Sequence, residues 1–331
     1  MEAVKLTILG CGSAMPTKKN FHSSQLLEMR NKQFLIDCGE GTQIRMRQFN
    51  IKTNRLNHIF ISHLHGDHYF GLLGLISSLG MLGRTADIEV HAHPDLERLV
   101  APQIAYSCGD FPFKVNFHPF NPRKNEIIYE DRSVTVTTFP LKHRVPTCGF
   151  LFEEKQAAPH LIRSMIDAYE IPIKELAAIK NGADYVTPDG EIVENSRLTT
   201  PAAPPKRYAY CSDTAYSEKI IPFVEGVDYL YHESTFLEED VARIKNTLHS
   251  SAKQAATIAA KANVKKLIIG HYSARYKTNT PFLEEAKKSV CQYGSGGRRN
   301  VVCVVTFSLN GLILIQINCF QVQFIDKISI S

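Results

Sequence analysis

A chain of 331 residues, 44% of them hydrophobic, is long enough to bury a large core in one big domain or two small ones. Eight cysteines lie scattered from Cys11 to Cys319 without a CxxC pair, which argues against a disulfide scaffold and for reduced thiols in the cytoplasm. The formal charge of +5 permits a polyanionic partner without demanding one, and the most apolar stretch, 301–324, is interrupted by Ser308, Asn310, Gly311, Gln316 and Asn318, which argues against a membrane span of roughly 18–20 clean apolar residues.

Residues 1–16 lack a basic segment followed by a long apolar run, so they read as a first strand, 4–10, and not as a secretory signal. Strands are expected at 24–29, 33–37 and 58–62, and helices at 42–49 and 69–81. A strand at 88–91 and a helix at 94–106, with Pro94 in its first turn, follow. Further strands are expected at 133–139 and 148–152. Residues 153–207 then read as an inserted arm, with helical patterns at 159–169 and 173–180, an Asp189-Gly190 turn and a Pro-rich run at 200–205. This arm carries seven Lys or Arg against nine Asp or Glu, so it is not a basic clamp by composition. The rhythm resumes with strands at 207–211, 228–232 and 265–270 and helices at 251–262 and 281–289. Residues 290–331 form a divergent tail, read as a β-hairpin because Asn310-Gly311 sits between two β-rich runs. Two β-rich halves flanked by helices predict an α/β sandwich over 1–289.

The chemistry concentrates in Ser62-His63-Leu64-His65-Gly66-Asp67-His68, which puts three histidines and an aspartate within six residues between a strand and an apolar helix. Imidazole nitrogen and carboxylate oxygen suit zinc. A turn at a strand's end can aim His63 and His65 at one metal and Asp67 and His68 at a second about 3.5–4 Å away. Four ligands do not complete two sites. The candidates for the remainder are His143, Asp213 and His271, each following a predicted strand.

This ordered set, HLHGDH and then strand-end His, Asp and His, resembles the metallo-β-lactamase superfamily from Val4 to about Lys288. The resemblance implies a four-layer αβ/βα sandwich with the metals at one edge. Carried over, His63, His65 and His143 would hold a first Zn2+, Asp67, His68 and His271 a second, and Asp213 would bridge them, giving two zinc ions per chain. Asp37, in Leu35-Ile36-Asp37-Cys38-Gly39-Glu40-Gly41, matches a motif whose Asp orients ligand histidines, although it could also cap the helix at Thr42.

Further features are similar to the ribonuclease Z family: the opening Gly10-Cys11-Gly12-Ser13-Ala14-Met15-Pro16, His232-Glu233-Ser234-Thr235 for a HEAT motif, Leu248-His249-Ser250-Ser251 for an HST motif, and the arm between His143 and Asp213. The loop Pro16-Thr17-Lys18-Lys19-Asn20-Phe21 is similar to P-x-K-x-R-N, with Asn20 and Phe21 replacing Arg and Asn, so Lys18 and Thr17 are substrate-binding candidates. The family likeness implies a cytoplasmic homodimer that removes the 3′ trailer from precursor tRNA. It would leave a 3′-hydroxyl on the tRNA and a 5′-phosphate on the trailer, and the arm would serve as an exosite. Asp67 would orient the attacking water and take its proton. His249, held by Glu233, would protonate the departing 3′ oxygen. Two rivals are a small-molecule phosphodiesterase or arylsulfatase-like hydrolase of the same fold and a binder without chemistry. His22, His58, His91, His93, His118 and His160 read as surface or packing residues, and His232 as a weaker candidate.

Overall fold

The computed structural model describes residues 4–17, 20–293, 302–305 and 314–316. These form two compact units, one of residues 1–153 and 207–331 and one of Glu154–Lys206.

The larger unit contains two seven-stranded sheets. The first comprises β1 (Lys5–Gly10), β2 (Ser24–Met29), β3 (Lys32–Cys38), β4 (Leu56–Phe60), β5 (Ile88–Ala92) and β6 (Val115–Pro119) in sequence order. Alternation sets its two faces. Phe34, Ile36 and Phe60 join the core shared with the second sheet, while Leu35, Ile59 and Ile61 join a core capped by helices Thr42–Gln48, Leu72–Met81 and Asp95–Cys108. Leu72, Leu75, Ile76 and Leu79 recur at the i, i+3, i+4, i+7 spacing that gives a helix one buried stripe. Each such side chain fully buried contributes about 1.5–3 kcal/mol.

The second sheet begins with β7 (Ile127–Glu130), β8 (Val134–Pro140) and β9 (Cys148–Glu154). The smaller unit follows, with two short pairs: β10 (His160–Leu161) with β13 (Thr199–Thr200), and β11 (Tyr185–Val186) with β12 (Ile192–Val193). Its own core is Ile166, Ile171, Ile179, Tyr185, Val193 and Leu198. The chain returns to the second sheet as β14 (Arg207–Cys211), β15 (Tyr229–Glu233) and β16 (Lys266–Gly270). Helix Ala252–Lys261 opens on a Ser251/Gln254 capping box and presents Ala252, Ala255, Ala256 and Ala259 to the core, and Phe282 and Ala286 of helix Thr280–Tyr293 join them.

Several elements differ from the sequence reading. The helix expected at 69–81 is two helices, Gly66–Tyr69 and Leu72–Met81, parted where the Gly71 N–H donates to the Cys38 carbonyl at 2.9 Å. Strands β6 and β7 were not anticipated. They are sheet edges with half-exposed side chains, so they lack an alternating apolar pattern. The expected tail hairpin is corrected as well, because its two described strands do not pair with each other. β17 (Val302–Val305) extends the second sheet parallel to β16, and β18 (Leu314–Gln316) lies antiparallel to β1 in the first. Each satisfies the open backbone edge of a different sheet, and the Asn310-Gly311 turn lies outside the described residues. Among the described residues no helix is long and apolar enough to cross a membrane. Among the described residues Cys11, Cys38, Cys108, Cys148 and Cys211 are buried thiols outside any disulfide.

Candidate metal centre

Parallel pairing of β3 with β4, of β14 with β15 and of β15 with β16 places the carboxyl ends of these strands together within each sheet. Asp37, the His63–His68 run, Asp213, Glu233 and His271 sit at or just beyond those ends, while His143 follows β8 and His249 precedes the helix Ala252–Lys261. Asp37 and His271 adopt left-handed backbone conformations, with φ of 55° and 65°, which turn the chain sharply as it leaves β3 and β16.

The structure brings the scattered residues into adjoining clusters. His63, His65, His143 and Asp213 form one, Asp67, His68 and His271 a second, and Asp213, His249 and His271 a third, each with its donor atoms within 4.8 Å of one another. In the first, His65 Nδ1 lies 3.1 Å from His63 Nε2 and 3.3 Å from His143 Nε2. Asp213 Oδ2 lies 3.6 Å from His63 Nε2 and 3.7 Å from His143 Nε2. In the second, His271 Nε2 lies 3.5 Å from Asp67 Oδ2 and 3.2 Å from Asp213 Oδ1, and His68 Nε2 lies 3.7 Å and 3.4 Å from the same atoms. Metal–ligand bonds of about 2.0–2.1 Å arranged tetrahedrally would put ligand atoms roughly 3.3–3.4 Å apart, so both clusters have the spacing of a coordination shell.

Hydrogen bonds on the far side of each ring fix the tautomers. His68 Nδ1 donates to Asp37 Oδ2 at 2.7 Å, and His143 Nδ1 donates to the Leu248 carbonyl at 3.0 Å. Thr235 donates its hydroxyl proton to Glu233 Oε2 at 2.8 Å, leaving its oxygen to accept from His271 Nδ1 at 2.9 Å. Ser62 likewise donates to Asp37 Oδ2 at 2.9 Å and accepts from His63 Nδ1 at 3.1 Å. Each of these rings therefore turns an Nε2 lone pair inward. His68 Nε2, His271 Nε2 and Asp213 Oδ1 are buried without a hydrogen-bond partner among the described residues, and desolvated donor atoms left unpaired are costly.

Charge points the same way. Asp37, Asp67, Asp213 and Glu233 are four carboxylates within one network. Burial opposes protonation of His68, but Asp213, Asp37 and Asp67 outweigh it and raise its pKa well above the ordinary value. Such a centre calls for positive charge, and two divalent cations would carry four units of it. The N and O donor set, the spacing and the orphaned atoms all fit that occupancy.

Asp37 does not cap the helix at Thr42, whose N-cap is Gly41 without a side-chain bond. Its carboxylate instead accepts from the Ser62 N–H at 2.8 Å and the Tyr210 hydroxyl at 2.7 Å, as well as from Ser62 Oγ and His68. Glu233 is fully buried and accepts five hydrogen bonds, from Thr214, His249 and Ser250 on one oxygen and from the Thr235 amide and hydroxyl on the other. His249 Nδ1 sits 2.8 Å from Glu233, and its Nε2 faces Asp213 Oδ2 at 4.0 Å, longer than the ligand spacings above. Burial works against charge on His249, but Glu233 and Asp213 prevail and hold its pKa at about 9.

Thr17 uses its hydroxyl to accept from the Asn20 N–H at 2.9 Å, and Lys18 lies outside the described residues. Asp67 Oδ2 accepts the Ala14 N–H at 2.8 Å, so the opening loop reaches the centre. His22, read from the sequence as a surface or packing residue, is buried and borders a cleft that Asp67, Asp213 and His271 also line, and Arg144 and Arg275, which the sequence did not single out, line it too. That cleft has a volume of about 610 Å³, with Arg144 and Arg275 among its walls. Arg275 is braced over the Phe236 ring at 5.4 Å and bonded to Ser273 Oγ at 3.1 Å. His58, His91 and His118 lie side by side on β4, β5 and β6, His91 stacked on His118 and tilted against His58.

A family model described as anti-Pycsar protein Apyc1 matches residues 4–156. Ribonuclease Z of Phocaeicola vulgatus is 57% identical over 286 residues, covering 86% of this chain and 93% of that protein. Ribonuclease Z of Porphyromonas gingivalis is 51% identical over 287 residues, covering 87% and 94%. Among solved structures, the short form of human tRNase Z matches with a TM-score of 0.61 at 23% identity, covering 82% of this chain and 93% of that one. The metallo-β-lactamase fold protein YhfI of Bacillus subtilis matches with a TM-score of 0.61 at 17% identity, covering 93% and 98%. The fold is that of the metallo-β-lactamases.

Proposed function

This chain belongs to the ribonuclease Z family, and we propose that it is a metal-dependent endoribonuclease that removes the 3′ trailer from precursor tRNA, leaving a 3′-hydroxyl on the tRNA and a 5′-phosphate on the trailer. The observation that carries the reading is the convergence of His63, His65, His143, Asp67, His68 and His271 around Asp213, beneath an open cleft. Zinc suits the donor set. His63, His65 and His143 would hold one ion, Asp67, His68 and His271 another, and Asp213 would bridge them. When bound, the two ions supply an activated water near neutral pH and positive charge for the phosphoryl oxygens.

The protein's own groups do the rest. Asp67, pinned by the Ala14 N–H, orients the attacking water and accepts its proton. His249 presents Nε2 toward the centre while Glu233 holds Nδ1, so it delivers a proton to the departing 3′ oxygen. Arg144 and Arg275 supply the positive wall along which an RNA backbone can lie. The Glu154–Lys206 unit acts as the exosite arm, its acidic composition pointing to recognition by shape and backbone groups more than by charge. The loop of Thr17 and Lys18 meets the RNA 3′ end. The working protein is a cytoplasmic homodimer.

The test is cleavage of a 3′-extended tRNA transcript by purified protein, with and without a chelator. A single cut at the junction of tRNA and trailer, lost on chelation and restored by Zn2+, supports the reading. Hydrolysis of small phosphodiesters with no cut in the transcript overturns it.

A further inference from the structure

The opening loop leaves β1 at Gly10 and enters β2 at Ser24, and its two limbs are held in different ways. The first limb is tied to the metal centre. The Ser13 N–H donates to the Tyr272 carbonyl at 3.1 Å, the Tyr272 N–H donates to the Cys11 carbonyl at 2.9 Å, and the Ala14 N–H donates to Asp67 Oδ2. On the second limb the Asn20 N–H and carbonyl bond the Thr17 hydroxyl and N–H at 2.9 Å and 3.0 Å. Phe21 follows, the residue that stands where the P-x-K-x-R-N pattern has Asn. Its ring lies against Gly41, where a Cβ would come within 2.6 Å of it, and Gly41 also has a left-handed φ of 83°, so only glycine suits the position. The Arg45 guanidinium sits 5.1 Å from the Phe21 ring centroid and 4.2 Å from that of Phe49, both within cation–π range. Arg45 is itself held, with Nε donating to the Leu9 carbonyl at 3.0 Å and Nη1 to Gln48 Oε1 at 2.8 Å.

We infer that Phe21 is a positioning residue that fastens the second limb to the helix Thr42–Gln48, so that Pro16 and Thr17 meet the RNA as a preformed rim of the cleft and not as a segment ordered on binding. Pro16 is among the cleft's walls, and Phe21 acts on it from behind, through the Asn20–Thr17 bonds. The inference rests on the endoribonuclease reading and adds to it the residue that readies the loop for the RNA.

The test compares wild type, Phe21→Ala, Phe21→Tyr and Arg45→Met as metal-loaded full chains. Binding is measured on a 3′-extended tRNA whose scissile linkage is an uncleavable bridging methylene phosphonate, and turnover on the cleavable transcript and on bis-p-nitrophenyl phosphate. A loosened limb must be ordered at each binding event, and ordering one residue's backbone corresponds to about 5- to 30-fold in affinity. Phe21→Ala is expected to weaken RNA binding by that factor and to raise KM. Its kcat and its hydrolysis of the small diester should stay within about twofold of wild type, because the Ala14–Asp67 bond belongs to the other limb. Phe21→Tyr keeps both ring contacts and should recover most of the loss. Arg45→Met should weaken RNA binding about 2- to 5-fold, and the double variant with Phe21→Ala should lose less than the product of the two. Amide hydrogen exchange at Thr17 and Asn20 should quicken in Phe21→Ala while that at Ala14 stays as in wild type. Wild-type RNA binding and exchange in Phe21→Ala, equal losses on RNA and small diester, or a fully multiplicative double variant would each overturn the anchor. Failure of wild-type protein to bind the RNA overturns the endoribonuclease reading instead.

Discussion

Asp37→Asn isolates the electrostatic part of the metal centre from its packing. The carboxylate is fully buried and accepts four hydrogen bonds at 2.7 to 2.9 Å, from the Ser62 amide and hydroxyl, His68 Nδ1 and the Tyr210 hydroxyl. Asn has nearly the same volume and tolerates the left-handed φ of 55°, so the backbone stays put. One amide face must still receive the rigid Ser62 N–H, so it must be the oxygen. The NH2 group then faces His68 Nδ1, the Ser62 hydroxyl and the Tyr210 hydroxyl. The hydroxyls can rotate and accept, but the imidazole can accept only by moving its proton to Nε2, the atom that faces Asp67 and Asp213. His68 is thereby withdrawn as a ligand. Losing such an outer partner typically costs about 10- to 100-fold in metal affinity, or about 1.4–2.8 kcal/mol. Asp37→Ala is harsher. It strands four donors at about 1–3 kcal/mol each where no water can replace the carboxylate, a sum comparable to a domain's whole stability of about 5–15 kcal/mol. The assay is competition for Zn2+ against a chromophoric chelator, beside the thermal midpoint of the chelator-treated protein. The Asn variant should keep most of its metal-free midpoint while one Zn2+ binds 10- to 100-fold more weakly. Unchanged affinity for both ions would refute the tautomer argument.

His65→Ala removes a donor that meets both His63 and His143, so bound metal should fall toward one ion per chain and cleavage should vanish while circular dichroism stays near wild type. Full activity at full zinc content would dismiss the site. Replacing Glu154–Lys206 with a short Gly-Ser linker should leave hydrolysis of bis-p-nitrophenyl phosphate within about twofold and abolish tRNA cleavage, because Glu153 and Arg207 are already paired neighbours on β9 and β14 and the gap is short. Equal loss on both substrates would argue against an exosite. His58 and His91 are held neutral by burial, with pKa values pushed down to about 4 and about 3 from 6.5. The unfolded chain therefore takes up protons first as pH falls below about 6.5, and the stability these rings contribute above that pH is lost progressively toward pH 4 and below. The thermal midpoint should drop between pH 7 and pH 5, and His91→Gln should flatten that slope. An identical slope in the variant would assign the acid sensitivity elsewhere.

How much of this was legible depends on how local the chemistry is. The HLHGDH run announced itself because four candidate ligands crowd into one turn, and the arm stood out by its Pro-rich end and its interrupted rhythm. His143, Asp213 and His271 were readable only by their order after that run, since each is an ordinary polar residue at a strand end. The part Asp37 plays stayed open between capping and orienting because the deciding partners come from two other places in the chain, Ser62 and His68 from one run and Tyr210 from β14. The edge strands β6 and β7 escaped because half-exposed edges do not alternate, and the tail because Asn310-Gly311 satisfied a hairpin rule while two separate sheet edges competed for the strands.

The donors of the centre are aimed before any ion arrives. His68, His143, His271 and His63 each commit Nδ1 to a buried acceptor or carbonyl, so their Nε2 lone pairs already converge. Little ordering entropy remains to be lost on binding. What the metal-free protein must tolerate is electrostatic. Asp67 and Asp213 face each other across His68 and His271, so two carboxylates crowd one buried spot. The left-handed residues Asp37 and His271 add backbone strain of order 1–3 kcal/mol each at the same edge. Both penalties are fixed by the fold, and cations relieve the first without altering the second. Metal affinity is thus stored in the network that holds the ligands as much as in the ligands themselves, and for that reason a substitution such as Asp37→Asn, which touches no ion, is the sharper probe of how this centre is built.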